Sequence, residues 1–451
     1  MKTSWMSLGV AALVASTGLL LPSSASAAVP ANPTFTKDIA PIFQEKCEAC
    51  HRTDSIAPMS LVSYEEARPW ARSIKSRVES RQMPPWSIDK TVGIQEFKND
   101  RSLTDDQVAT ITKWIDSGAP KGDIKDMPQA KQWPSDEGWN YAALFGQKEP
   151  DLIVRSTPYT QKAGANDAWW HPISATGLKE DRWVRAIKIR PGTVKGRKIT
   201  HHAIANMVQE GPDADVDPNG RAVAGTFMEW AVGKQGEMMR PNSGKLLKAG
   251  TKFRWDIHYS NGGEDITDIV ELGIYLYPKG QEPKYRQVLH LMGGTNAGGV
   301  DIPPNVVKQT QGFFVMRENG RIESYQPHMH VRGKAMEMSA ILPTGQVQVL
   351  SYVSNFNFNW MSTYQYADHA APLLPKGTII KVTAWHDNTA NNKANPDPNV
   401  WVGYGDRTVD EMAHAWVNVT YMDDADYATE LEARRAELAK QRTTQQQQQQ
   451  Q

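Results

Sequence analysis

Gln326-Pro327-His328-Met329-His330-Val331-Arg332-Gly333 carries two histidines two residues apart. Taken as a strand, it sends alternate side chains to opposite faces, so His328 and His330 share one face with Cβ atoms roughly 7 Å apart. Two imidazoles so placed can close on one ion, but they make half a metal site. The same alternation recurs through most of the chain in short runs separated by Gly, Pro and Asn, at 182–190, 200–208, 225–232, 253–259 and 270–277. A second series follows at 312–316, 323–331, 337–342, 347–353, 378–385 and 412–421. Period-two runs at this spacing predict two antiparallel β-sandwich domains of jelly-roll type, residues 151–283 and 284–422. Met336 and Met338 alternate within one run and are expected to pack in the core.

Each β domain carries its own candidate ligands. In the first, His201 and His202 are adjacent, and neighbours on a regular strand face opposite ways. They can share an ion only at a bulge or a strand end. His258, in Phe253-Arg-Trp-Asp-Ile-His-Tyr259, would complete a three-nitrogen set. In the second, Asp410-Glu411-Met412-Ala413-His414 offers a partner for His328 and His330, with Met412, His414 and Trp416 on one face and Ala413, Ala415 and Val417 on the other. Either Met412 or His414 can be the third donor. His386, in Trp385-His-Asp-Asn388, is read as structural, as are His171, His290 and His369.

The two cysteines of the 451-residue chain lie together in Cys47-Glu48-Ala49-Cys50-His51. This is the pattern of covalent haem c attachment, in which two thiols bond the porphyrin edge and the following His51 supplies an axial nitrogen. A thioredoxin-like redox pair is the competing reading of Cys-x-x-Cys. With both thiols on haem, none is left for blue copper, an iron–sulfur cluster or Cys-bound zinc, so any further metal must rest on His, Met or carboxylate. Residues 33–128 therefore read as a small all-α cytochrome c domain. A helix over 36–46 precedes the motif, and another opens at the capping box Thr104-Asp-Asp-Gln107 and stops at Gly118-Ala-Pro120. In Arg81-Gln82-Met83-Pro84-Pro85-Trp86 two prolines stiffen the loop, which makes Met83 the expected sixth ligand; Met59 is the rival.

The ends and the connection are simpler. Residues 1–27 have the charged start, apolar run and small-residue cleavage site of a signal peptide, which predicts a periplasmic or secreted product beginning near Ala28. No later run is long enough to span a membrane. Lys plus Arg and Asp plus Glu balance at 50 each, which gives no basic excess for nucleic acid. Residues 129–150 read as a linker. Residues 423–451 read as a charged, helix-prone segment followed by a disordered polyglutamine tail from 445.

In order along the chain, the His201-His202 pair, Ile257-His258-Tyr259, His328-x-His330 and Thr408-Val-Asp-Glu-Met412 resemble the motifs of the type 2 copper, ascorbate-dependent monooxygenases, the family of peptidylglycine α-hydroxylating monooxygenase and dopamine β-monooxygenase. The resemblance covers roughly residues 150–422. It implies two copper ions in two jelly-roll-like domains facing a solvent cleft. One, on His201, His202 and His258, would transfer electrons; the other, on His328, His330 and Met412, would activate O2. It also extends to bacterial relatives in which a cytochrome c domain with a Met-Pro-Pro-Trp loop precedes the copper module. The activity implied is insertion of one atom of O2 into a C–H bond of a small organic substrate. An external donor, an ascorbate-like reductant or a redox protein, would supply electrons; the presence of a haem on the same chain, and not the resemblance, is the ground for expecting it to relay them to the first copper.

The peptide-hydroxylating members hold a substrate carboxylate with an arginine where this chain has Gln326. Their Asn and Tyr beyond the ligand Met are His414 and Trp416 here. A less polar or aromatic substrate is therefore expected. The alternative function is a non-catalytic electron carrier or copper-binding protein. A hydrolase or carbohydrate-binding module finds no Ser-His-Asp pattern or carboxylate pair. Nitrite-reductase-type copper needs a cysteine, and a His-brace oxygenase needs a mature N-terminal His.

Overall fold

The segment Lys252–Tyr259 shows how the strands are made. Phe253, Trp255, Ile257 and Tyr259 are fully buried on one face, while Arg254, Asp256 and His258 take the other. The computed structural model describes residues 29–449 apart from 54, 134–137, 140, 209–224, 232–233, 235 and 295–298. The expected signal peptide therefore lies outside the described residues. Lys252–Tyr259 is central in a five-stranded sheet with Ala168–Trp170, Ile173–Ala175, Thr200–Val208 and Thr226–Ala231. Its apolar face packs on Val184, Ile187, Ile189, Leu272 and Ile274, which belong to one half of a ten-stranded sheet.

The other half of that long sheet carries Tyr285–Gly294, Ala413–Met422 and Asn319–His328. A four-stranded sheet of Val307–Val315, Ile379–Asp387, Gly333–Ile341 and Val347–Val353 covers it, and Ile322, Tyr325, Met336, Met338, Ile380, Val417 and Val419 fill the space between. The chain is thus mostly antiparallel β, packed in layers. The two sandwiches are not separate, however. Ser243–Leu247 runs parallel to Tyr285–Gly294, with Ser243 opposite Tyr285, and makes one sheet common to both. Alternation within a run reports which face is buried, not which distant strand lies alongside, so this junction left no trace in the sequence.

Short helices occupy the first part of the chain. Ala40–Lys46, Ala71–Glu79 and Asp105–Asp116 enclose Phe35, Phe43, Leu61, Ile74, Val78, Ile111 and Trp114. Thr104 caps the last of them reciprocally with Gln107, at 3.1 and 2.9 Å, and Gly118 at φ +92° follows its end. One piece of the 33–128 segment lies elsewhere. Trp86, Ile88 and Phe97 are buried in the core of the second β unit. The backbone there is stitched to it: the Asp89, Ile94 and Lys98 N–H groups donate to Tyr352, Leu350 and Gln365 carbonyls at 2.8, 2.9 and 2.8 Å.

The stretch expected as a linker is also docked. Ala142 packs with Ala186 and Tyr275, while Arg190 and Arg185 lie over the rings of Trp139 and Phe145 at 4.0 and 3.7 Å. Its aromatic residues give it something to bury, which polar composition alone had hidden. At the other end the helix Asp424–Gln449 runs into the glutamine tract expected to be disordered, since Gln is a good helix former and extends a helix already begun. Glu430 ties that helix down, accepting from Arg321 at 2.7 Å and Arg240 at 3.1 Å. Among the described residues no helix is long and apolar enough to cross a membrane.

Trp86 meets Tyr364 edge-on at 4.8 Å and Phe97 at 5.6 Å. Trp86→Ala should therefore destabilise the β body by about 3–5 kcal/mol, read as a lowered urea midpoint at unchanged m-value. A midpoint like that of the parent would show that the indole contributes nothing to that core.

Candidate metal centres

The register of Thr200–Val208 on Lys252–Tyr259 makes the first cluster. His258 lies opposite His202, but Tyr259 lies opposite Thr200, so His201 is an extra residue in a bulge. The bulge turns His201 toward the side of its neighbour, and their Nδ1 atoms stand 3.2 Å apart. Two nitrogens on one tetrahedral ion, each about 2.0–2.1 Å from it, are separated by roughly 3.3 Å. Ligand atoms of His201, His202 and His258 all lie within 4.8 Å of one another, the one such group of His, Cys, Asp or Glu among the described residues. His258 Nε2 bonds Asp167 at 3.1 Å, which leaves Nδ1 for an ion, and Trp169 stacks flat on the same ring at 4.4 Å.

The second cluster is built on two neighbouring strands of the long sheet. Ala413, Ala415 and Val417 enter the core, so His414 and Trp416 point the other way, and His414 sits directly opposite His328. The His328 and His414 rings stack at 4.7 Å, and His330 stands 5.3 Å from His328. Both ring nitrogens of His414 are buried without a hydrogen-bond partner. A sulfur is present as well, but it is Met361 Sδ, 3.0 Å from His328 Nδ1. Met412 is half-buried just ahead of the strand, between buried Glu411 and Ala413.

Its neighbours in the 408–412 segment act on the backbone instead. The buried Glu411 carboxylate accepts from the N–H groups of His330 and Arg332 at 2.9 and 2.6 Å, and His330 Nδ1 donates to the Asp410 carbonyl at 3.1 Å, leaving Nε2 outward. Gly333 allows the turn to close, because a Cβ there would stand 2.6 Å from Met329 Cβ. His386 is fully buried with Nδ1 3.5 Å from Glu411, so it backs this clamp.

The two clusters touch. The polar face of the five-stranded sheet meets the polar face of the long sheet's second half, bringing the His202 and His328 rings to 6.5 Å. Phe358 fills the remaining space, 5.3 Å from His201 and 6.0 Å from His330. Two groups across an open gap were expected; the packing of these faces joins them into one array. Burial, and then the neighbouring imidazoles, hold His202 and His328 well below the usual histidine range, His201 at about 4 and His414 at about 3. Those four rings are neutral at pH 7, with lone pairs available.

In the Cys47–His51 segment, Cys47 and Cys50 are half-buried and in no disulfide. Burial, and then Glu48, push the Cys47 thiol up to about 12, the opposite of what a redox dithiol requires. His51 Nδ1 donates to the Met59 carbonyl at 3.2 Å, so Nε2 is the nitrogen left over. The Met59 backbone thus lies on the His51 side, and its side chain packs on the helical core. Met83 is half-buried after the helix Ala71–Glu79, its N–H bonded to Arg77 O at 3.1 Å. Sequence reasoning missed Met361, Glu411, Asp167 and Phe358. For Glu411 a signal existed, a carboxylate next to a proposed ligand; the others come from loops with no local pattern.

No family model matches the chain, and no curated protein matches it. Among solved structures, the major capsid protein P2 from bacteriophage PM2 is similar over 59% of this chain and 97% of its own, at 11% identity and a TM-score of 0.26. A putative alpha-L-fucosidase from Bacteroides ovatus is similar over 65% of this chain and 41% of its own, at 8% identity and a TM-score of 0.16. The infectious bursal disease virus Gx strain structure gives 60% and 72%, at 10% identity and 0.18. Likenesses this slight carry no argument about this chain.

Because the buried histidines have lowered pKa values in the folded state, the unfolded chain takes up their protons first, near its ordinary 6.5. Stability is present above that pH and is lost as pH falls from about 6.5 toward about 4. Thermal melts of the metal-free protein should show a declining Tm across this window. A Tm independent of pH there would mean the rings are not held neutral.

Proposed function

We propose that the chain is an exported haem–copper oxidoreductase, a copper-dependent monooxygenase that inserts one atom of O2 into a C–H bond of a small, apolar or aromatic organic substrate. The observation that carries this reading is the convergence of His201, His202 and His258, from two strands, beside His328 and His414 from two others and His330 from the turn after His328. Imidazoles suit copper, zinc, nickel and iron alike, whereas a thioether beside them biases the second group toward Cu(I). Bound copper would supply O2 binding and one-electron chemistry, and haem a further one-electron store.

The histidine clusters suit copper. Neutral, buried imidazoles offer lone pairs without first losing a proton. Asp167 orients His258, and Glu411 with the Asp410 carbonyl fixes His330 and its tautomer. Phe358 packs against the His201 ring and Trp416 against that of His328. Cys47 and Cys50 would carry the haem, and His51 Nε2 and Met83 would be its protein donors. Gln326, bonded to Thr363, takes the place where an arginine would receive a carboxylate, which favours an uncharged substrate. Electrons would come from an ascorbate-like reductant or a redox protein.

The carrier reading also has support: His258, His328, His330 and His414 are 3–4% exposed, more enclosed than a cleft for substrate requires. Metal analysis should give one iron and two coppers per chain. His202→Ala and His328→Ala should each lose one copper and leave the haem spectrum unchanged. Reductant-driven O2 uptake, assayed with phenolic, amine and peptide compounds, then decides: uptake coupled to a hydroxylated product establishes the oxygenase, and a fully loaded protein that consumes none is a carrier.

A further inference from the structure

We infer that Met361, from the loop over residues 354–363, supplies the thioether donor to the ion held by His328 and His330, in place of Met412. The inference rests on the two-copper reading and departs from the ligand set that the family resemblance implies. Its first ground is position. Met361 is 5% exposed, and its Sδ lies 3.0 Å from His328 Nδ1. A thioether is a weak acceptor, a poor way to satisfy a buried imidazole. Two donors on one tetrahedral ion at about 2.0 and 2.3 Å are separated by about 3.5 Å, so a shift of the Met361 side chain by about half an ångström admits the ion.

The second ground is that the loop is held from both sides. Asn99 Nδ2 donates to Thr363 O at 2.7 Å, and Asn99 Oδ1 accepts from Gln365 N at 3.1 Å. Thr363 bonds Gln326 on the ligand strand, two residues before His328. Tyr364, one residue on, is packed by Trp86. These anchors fix Met361 on His328 before any ion arrives, as a preorganised donor must be.

The test loads the full-length protein with Cu(I) under anaerobic conditions. Copper-edge X-ray absorption reads sulfur at the metal, and competition with a chromophoric Cu(I) chelator reads affinity. The wild type should bind two Cu(I), with a sulfur neighbour on one of them. Met361→Leu should remove the sulfur signal and weaken one site by at least about 10-fold, while Met412→Leu changes neither by more than about 2-fold. Met361→Cys should keep a sulfur on copper, which separates ligand loss from misfolding, and circular dichroism checks the fold of each variant. Loss of the sulfur signal in Met412→Leu but not in Met361→Leu overturns the inference alone. A wild type that binds a single Cu(I), lost in His202→Ala, overturns the two-copper reading and this inference with it.

Discussion

One extra residue in one strand pair governs the chemistry available to this chain. With His201 bulged out between Thr200 and His202, adjacent histidines act from the same side of the sheet, and His258 comes up opposite them. Had the ladder continued without a shift, one imidazole would have pointed into the apolar interior with Ala203 and Ala205. The remaining organisation serves to hold that face against another. The four-stranded sheet packs behind the His328 strand and so commits its polar side to face the first cluster.

Burial of so many imidazoles without an ion is unfavourable for the fold, and the protein manages it with fixed partners at the edges. Asp167 engages His258, the Asp410 carbonyl engages His330, and Glu411 grips the turn that carries His330. Electrostatically the array contains rings but few carboxylates. Protons are therefore discouraged, and a cation that brings its own compensation by accepting nitrogen lone pairs is favoured. Phe358 fits the same logic, since an aromatic ring between the clusters removes room for the water that would otherwise solvate them.

How much of this could be read in the letters alone depends on range. The alternation of Phe253, Trp255, Ile257 and Tyr259 announced a strand with a buried face, and the Thr104–Gln107 cap announced a helix start; both are local signals. The need for a bend at His201-His202 also followed from local geometry, because adjacent side chains on a strand diverge. What depends on distant pairing was silent. Ser243 beside Tyr285, Met361 on His328, and Trp86 in a core formed more than two hundred residues later have no periodic signature, since they arise from how sheets stack. The expected separation of the clusters failed for the same reason: sequence order says nothing of which outer faces meet.

The docking of residues 86–99 into the second β unit bears on how such a chain can be divided. Boundaries drawn from composition would place a cut near residue 128, yet that cut would take away Trp86, Ile88 and Phe97, and with them the two hydrogen bonds of Asn99 to the segment after Met361. The excised β portion would carry an open hollow lined by Tyr364 and Tyr366, and the helical piece would trail an apolar strand with nowhere to lie. Evolutionary shuffling of the leading unit onto another protein would meet the same obstacle: the two halves share a core and are not joined by a mere tether.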